Sequence, residues 1–176
     1  MKKKNGRPSK DEYYLNIAKA VSMRSTCLRR RFGAIIVKND TIVSTGYNGP
    51  ARGVINCTEV GCLKDELNAP EYGAYDLCPG VHAEENAIIN AARSGTSVKD
   101  GKLYIYGYYA KTGKPSVSIP CDRCKRAIIN AGIVEVITMD EKGRIIKYNV
   151  QDWVKYDSEN YIKKLEEARK RKKSKA

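Results

Sequence analysis

Apolar residues recur at helical spacing in three places along the chain, with short runs of strand character between them. Tyr14, Ile17, Ala18 and Val21 mark one face of a first helix, and Ser9-Lys10-Asp11-Glu12 before them supplies the serine and glutamate of a capping box. Residues 33–37 (Gly-Ala-Ile-Ile-Val) and 41–45 (Thr-Ile-Val-Ser-Thr) read as strands around an Asn39-Asp40 turn, most simply a hairpin. Ala87, Ile88, Ala91 and Ala92 predict a second helix ending near Ser94-Gly95. Cys124, Ile128, Ile129 and Ala131 predict a third, stopped by Gly132. Residues 103–106 and 134–139 read as strands after these two helical patterns begin, and that alternation makes a sheet covered by helices. Residues 46–81 are glycine-rich and sustain no period, and a segment that long in a small domain needs something to hold it.

Composition adds one bound and charge adds another. With 176 residues, 41% of them hydrophobic, the chain can bury a single sizeable core. No apolar run approaches the ~20 residues of a membrane span, and no secretory signal opens the sequence, so a cytoplasmic protein with no membrane partner is expected. The net charge of +13 suggests a nucleic-acid surface until it is located. Lys2, Lys3, Lys4, Arg7 and Lys10 carry part of it, and residues 161–176 carry much of the rest. The body between is nearly balanced, so the basic termini read as solvated tails and specific nucleic-acid binding is not expected.

The chemistry sits at the start of the second and third helical patterns. His82, the only histidine, opens His82-Ala83-Glu84, and Pro120-Cys121-Asp122-Arg123-Cys124 follows. A Cys-x-x-Cys alone could be a redox pair or a zinc knuckle, and a lone histidine is usually structural. Their joint occurrence is the signature of zinc-dependent nucleobase deaminases. His82, Cys121 and Cys124 supply three zinc ligands and leave a fourth tetrahedral position for water, which distinguishes a catalytic zinc from a structural one. Glu84 is not a ligand in this reading; it moves protons between that water and the substrate. Both motifs begin helices, where unpaired amides and the positive end of the dipole favour thiolate.

Together with these motifs, Arg7-Pro8-Ser9, Ser25-Thr26-Cys27-Leu28-Arg29-Arg30, Gly46-Tyr47-Asn48-Gly49-Pro50, His82 through Ile88 and Ile129-Asn130-Ala131-Gly132-Ile133 resemble the bacterial and phage deoxycytidylate deaminases. The resemblance covers roughly residues 7–140. It implies a cytidine-deaminase-like three-layer α/β/α fold with a central mixed sheet of about five strands. It also implies hydrolysis of dCMP to dUMP and ammonia, a homo-oligomer, and dCTP and dTTP as effectors. The domain is then expected over 7–155, with 46–81 as a cysteine-bearing insertion and 156–176 as a basic C-terminal helix or tail. The resemblance places the backbone of Ala83 against the base. A nucleotide further needs sugar and phosphate contacts, for which Asn48, Arg31 and Arg52 are candidates by amide and guanidinium chemistry.

Four cysteines remain: Cys27, Cys57, Cys62 and Cys78. Some phage members of the family bind a second zinc at positions like Cys27 and Cys57. With no second histidine here, a four-thiolate structural zinc is the natural completion, against the alternative of scattered buried thiols. Two other functions stay open: a tRNA or nucleic-acid base deaminase using the same motifs, and a zinc-binding DNA-uptake accessory protein without turnover.

Overall fold

The computed structural model describes residues 6–70 and 73–173. Lys2, Lys3, Lys4 and the last residues of the basic C-terminus lie outside these, as do two positions of the 46–81 segment. The elements run in the order α1 (Lys10–Ser22), β1 (Arg30–Lys38), β2 (Thr41–Tyr47), β3 (Gly49–Pro50), α2 (Cys57–Val60), α3 (Leu63–Glu66), a 3-10 turn (Tyr75–Leu77), β4 (Gly80–Val81), α4 (Ala83–Arg93), β5 (Lys102–Tyr109), α5 (Asp122–Asn130), β6 (Glu135–Met139), β7 (Ile145–Asn149) and α6 (Val150–Lys173).

Five strands form one sheet in the order β2-β1-β5-β6-β7. Only β5 and β6 pair in parallel, joined through α5; the other three pairs are antiparallel, so the sheet is mixed. The central strands are apolar on both faces because both faces are covered. Ile35, Val37, Tyr104, Tyr106 and Ile137 pack against Tyr14, Leu15 and Ala18 of α1. Ala34, Ile36, Leu103, Ile105 and Val136, one position out of phase, pack against α4 and α5. This is the three-layer α/β/α arrangement.

The Ser9–Glu12 capping box is present, with Glu12 N–H donating to Ser9 Oγ at 3.2 Å and Ser9 N–H to Glu12 Oε2 at 2.7 Å. Asn39 and Asp40 both take positive φ, 50° and 60°, which suits the turn between β1 and β2 to the sheet's twist. Four of the strands were anticipated from the pattern; β7 is the fifth. The 46–81 segment is closed at its ends by the β3–β4 ladder, Gly49 opposite Val81 and Pro50 opposite Gly80. Thr26 Oγ1 ties it to the body by donating to Asn56 Oδ1 (3.0 Å), and inside it Lys64 Nζ donates to the Gly73 carbonyl (2.8 Å). Among the described residues no helix is long and apolar enough to cross a membrane.

Candidate metal centre

Helix α4 reaches the sheet on a stripe of Ala83, Ala87 and Ala91, all buried. Small side chains at i, i+4 and i+8 let its backbone come close, and Gly46 on β2 completes the approach. A Cβ on Gly46 would collide with Ala87 N and Ala83 O, so only glycine fits against the first turn of the helix. Three further bonds hold α4 to this strand: Ser44 Oγ to Ala87 O (2.6 Å), Asn86 Nδ2 to Tyr47 O (2.7 Å) and Asn90 Nδ2 to Thr45 O (2.7 Å). The two asparagines satisfy carbonyls that an edge strand would otherwise expose.

This packing places His82 at the N-cap of α4, and Cys121 is the N-cap of α5. Cys124, one turn into α5, is buried. Cys121 Sγ lies 3.5 Å and Cys124 Sγ 3.4 Å from His82 Nδ1. With zinc–sulfur and zinc–nitrogen bonds of about 2.3 and 2.0–2.1 Å at tetrahedral angles, sulfur and nitrogen should stand about 3.6 Å apart. The donor set therefore fits zinc in both atom type and spacing. Among the described residues it is the one group of histidine, cysteine and acidic side chains whose ligand atoms all lie within 4.8 Å of one another.

The electrostatics agree. Cys121 is held down to about 3 by the hydrogen bond from Cys124, with His82 adding to it against the opposing effect of burial. Cys124 is pushed up, first by that same bond and then by burial, because two thiolates cannot share the site without a cation. Hydrogen bonding to Cys121 raises His82 despite burial. Glu84 is almost fully buried in the first turn of α4, two residues after His82, and burial raises its carboxyl. It stands beside the three ligand atoms but outside their cluster.

The other candidates separate. Ala83 is fully buried at the first residue of α4. Asn48 spends its amide on β1, accepting from Phe32 N–H (2.7 Å) and donating to Arg30 O (2.9 Å); each end keeps one further hydrogen-bonding valence. Arg31 donates from Nε to Cys27 O (3.3 Å) and, by strand alternation, sits on the α1 face, opposite the helices that carry the trio. Arg52 is exposed and bonded to Asn90 Oδ1 at 2.6 Å. Cys27, Cys57, Cys62 and Cys78 are half-buried free thiols. No three of their sulfurs fall within 4.8 Å of one another, although Cys57 is raised by burial and then by Cys27, Cys78 and Cys62.

Two features escaped the sequence reading. A cleft of about 490 Å³ lies between Leu28, Arg29, Arg30 and Asp65 on one side and Tyr109, Lys111 and Lys114 on the other. Arg30 follows Phe32 onto the face of α4 and α5, and Arg29 Nη1 is buried with no acceptor. The second is Tyr75, whose ring meets His82 edge-on.

Residues 8–140 match the family model described as the cytidine and deoxycytidylate deaminase zinc-binding region. The chain belongs to this deaminase family. It is 34% identical to a deoxycytidylate deaminase of Schizosaccharomyces pombe over 131 residues, 74% of the chain and 37% of that relative. Similarity to the deoxycytidylate deaminase of Mycobacterium phage D29 is 33% over 137 residues, 74% of the chain and 94% of the phage protein. The chain thus spans less than two fifths of the yeast relative's length. Its fold is similar to a cyanophage S-TIM5 dCMP deaminase solved with dCMP and dUMP, with a TM-score of 0.56 and 28% identity over 76% of this chain and 83% of that one.

Proposed function

We propose that the protein hydrolyses dCMP to dUMP and ammonia. The observation that carries this is the buried Glu84 carboxyl set beside, and not within, a cluster of one imidazole and two thiols at zinc spacing. A structural zinc site has no use for such a carboxyl. His82, Cys121 and Cys124 would hold the zinc, which when bound supplies a Lewis acid that makes water a competent nucleophile near neutral pH. Glu84 takes a proton from the attacking water and delivers it to N3 of cytosine, which makes C4 electrophilic. The water oxygen adds to C4. Glu84 then carries the second proton to the amino group, the C4–N bond breaks and ammonia leaves.

The nucleotide's remaining parts need recognition. The Ala83 backbone meets the base, and the unused valences of Asn48 are available to the sugar. For the phosphate we favour the cleft holding Arg29, Arg30, Lys111 and Lys114, where Arg29 pairs with Asp65 through Nε (3.3 Å) and keeps a buried Nη1 without an acceptor. Arg31, bonded to Cys27 O, and Arg52, bonded to Asn90 Oδ1, are the further candidates for it. We further propose that residues 7–155 are the deaminase domain, with residues 156–176 its basic extension. Cys27, Cys57, Cys62 and Cys78 then hold a second zinc; the influence of the other three on Cys57, after that of burial, supports this. Self-association fits the exposed Tyr156, Tyr161, Ile162 and Leu165 of α6.

A panel of dCMP, CMP, cytidine, dCTP and tRNA, read by ammonia release, tests the assignment. Turnover should be fastest with dCMP. Preference for tRNA, or no release from any of them, would overturn it.

A further inference from the structure

The cleft beside Arg29 holds an ion pair that leaves positive charge unanswered. At the end of β5 the chain folds back tightly: Tyr109 N–H donates to Lys114 O (2.9 Å) and Gly113 N–H to Tyr109 O (2.8 Å), with Gly113 at positive φ (68°). Ala110 N–H donates to Arg29 O (2.9 Å), so this turn is held against the start of β1. Lys111, Thr112 and Lys114 of the turn then line one cleft with Arg29 and Arg30. A single carboxylate, Asp65, lines it with them. Among the described residues Lys111 and Lys114 make no ion pair. Asp65 belongs to α3 of the inserted segment, and its Oδ1 meets Arg29 Nε at 3.3 Å. That contact is partial. It uses one guanidinium nitrogen, Arg29 Nη1 is buried without an acceptor, and the Asp65 side chain is 42% exposed. A pair so open to water holds weakly. A phosphate dianion brings more charge and one more oxygen than a carboxylate, and it meets two lysines that Asp65 leaves unpaired.

We propose that Asp65 is an internal competitor for the ligand's phosphate: the incoming dianion takes Arg29 from it, and α3 is released from the start of β1 as the ligand binds. The inference rests on the reading of this cleft as a phosphate seat. Asp65 makes the seat selective. A neutral nucleoside has nothing with which to displace it, and a monoanion gains little over the carboxylate already there, whereas a phosphate monoester outbids it. The exchange also ties anion binding to the inserted segment, because Asp65 lies three residues after Cys62.

The test uses zinc-loaded full-length protein with inorganic phosphate as the probe, at low ionic strength. Calorimetric titration reads affinity. Hydrogen exchange at Glu66 and Leu67, whose amides close α3 on Cys62 O (3.1 Å) and Leu63 O (3.0 Å), reads the state of the helix. Asp65→Asn should bind phosphate about fivefold tighter, from the loss of one like charge and one weak competitor. Lys111→Ala combined with Lys114→Ala should weaken binding by a similar factor. In wild-type protein phosphate should speed exchange at both amides, whereas a ligand that only adds contacts would slow it. Equal affinity in Asp65→Asn, slowed or unchanged exchange in α3, or binding indifferent to both lysines would overturn the inference. The KM for dCMP separates it from the substrate reading. A raised KM in the double lysine variant, with no effect of Asp65→Asn on phosphate, would keep the cleft as the substrate's seat and remove the competitor. Exchange of Asp65 for phosphate with an unchanged KM would keep the competitor and place the substrate's phosphate elsewhere.

Discussion

At the scale of single residues, side chains near the candidate metal centre satisfy backbone as well as chemistry. Asn48 is the clearest case. It replaces a missing strand neighbour for Phe32 N–H and Arg30 C=O, so its amide fixes the end of β1 from which Arg29 and Arg30 emerge. Asn48→Ala would leave both backbone groups without partners, at about 1–3 kcal/mol. Denaturant titration should show that loss; an unchanged midpoint would mean water replaces the amide at no cost. His82 contributes differently. His82→Ala should remove one zinc from the purified protein and leave its far-ultraviolet circular dichroism intact, because Ala83, Ala87 and Ala91, not the imidazole, bury α4 against the sheet. Unfolding of that variant would show the metal to be structural.

At the scale of elements, two contacts decide how the layers meet. The α4–β2 approach depends on Gly46, where a methyl would strike the helix backbone at Ala83 and Ala87. Gly46→Ala should cost about 1–3 kcal/mol and displace the first turn of α4, lowering zinc content along with melting temperature. On the opposite face, Asp11 of α1 accepts from Tyr104 (3.0 Å) and pairs with Lys147 of β7 (2.6 Å). Burial alone would raise its carboxyl, but the bonds from Lys147 and Tyr104 outweigh it and hold the value below the ordinary carboxylate range. A value lower in the folded than in the unfolded state stabilises above the unfolded pKa of about 3.9 and is lost as pH falls through the folded one. Asp11→Asn should therefore cost about 1 kcal/mol at neutral pH, discounted for the half-exposed lysine, with the difference from wild type closing as pH falls through the lowered folded value. Thermal melts across that range check the sign. The same elements mark what the sequence made legible. Helices α4 and α5 stood out because apolar period, stop signal and motif coincide, and the candidate zinc ligands begin them. Strand β7 did not, because its pattern of half-buried and exposed positions at a sheet edge carries no strong alternation. Tyr75 was hidden for another reason. It lies seven positions before His82 in a segment without periodicity, and only the 3-10 turn brings it back onto the ring.

At the scale of the whole molecule, the mixed sheet sets two helix N-termini side by side on one face, and the inserted segment meets that point through Tyr75 against His82. The C-terminal helix α6 is anchored at Val150 and Trp153, the latter against Tyr148, and then runs on with its later apolar side chains exposed. Metal analysis of wild-type protein should give about two zinc ions per chain if the four remaining cysteines form their own site. Cys57→Ser should then lose one zinc and melt several degrees lower, because structural zinc contributes folding free energy directly. One zinc per chain, with those four thiols titrating freely in native protein, would remove the second site. We propose that Glu84 shuttles protons in dCMP hydrolysis at the His82–Cys121–Cys124 centre. The direct test compares ammonia release from dCMP by zinc-loaded wild-type protein and by Glu84→Gln at equal metal content. An amide of the same shape cannot take up the proton, so turnover should fall by about two to three orders of magnitude while the zinc and the fold remain. Near wild-type turnover in the glutamine variant would contradict the account.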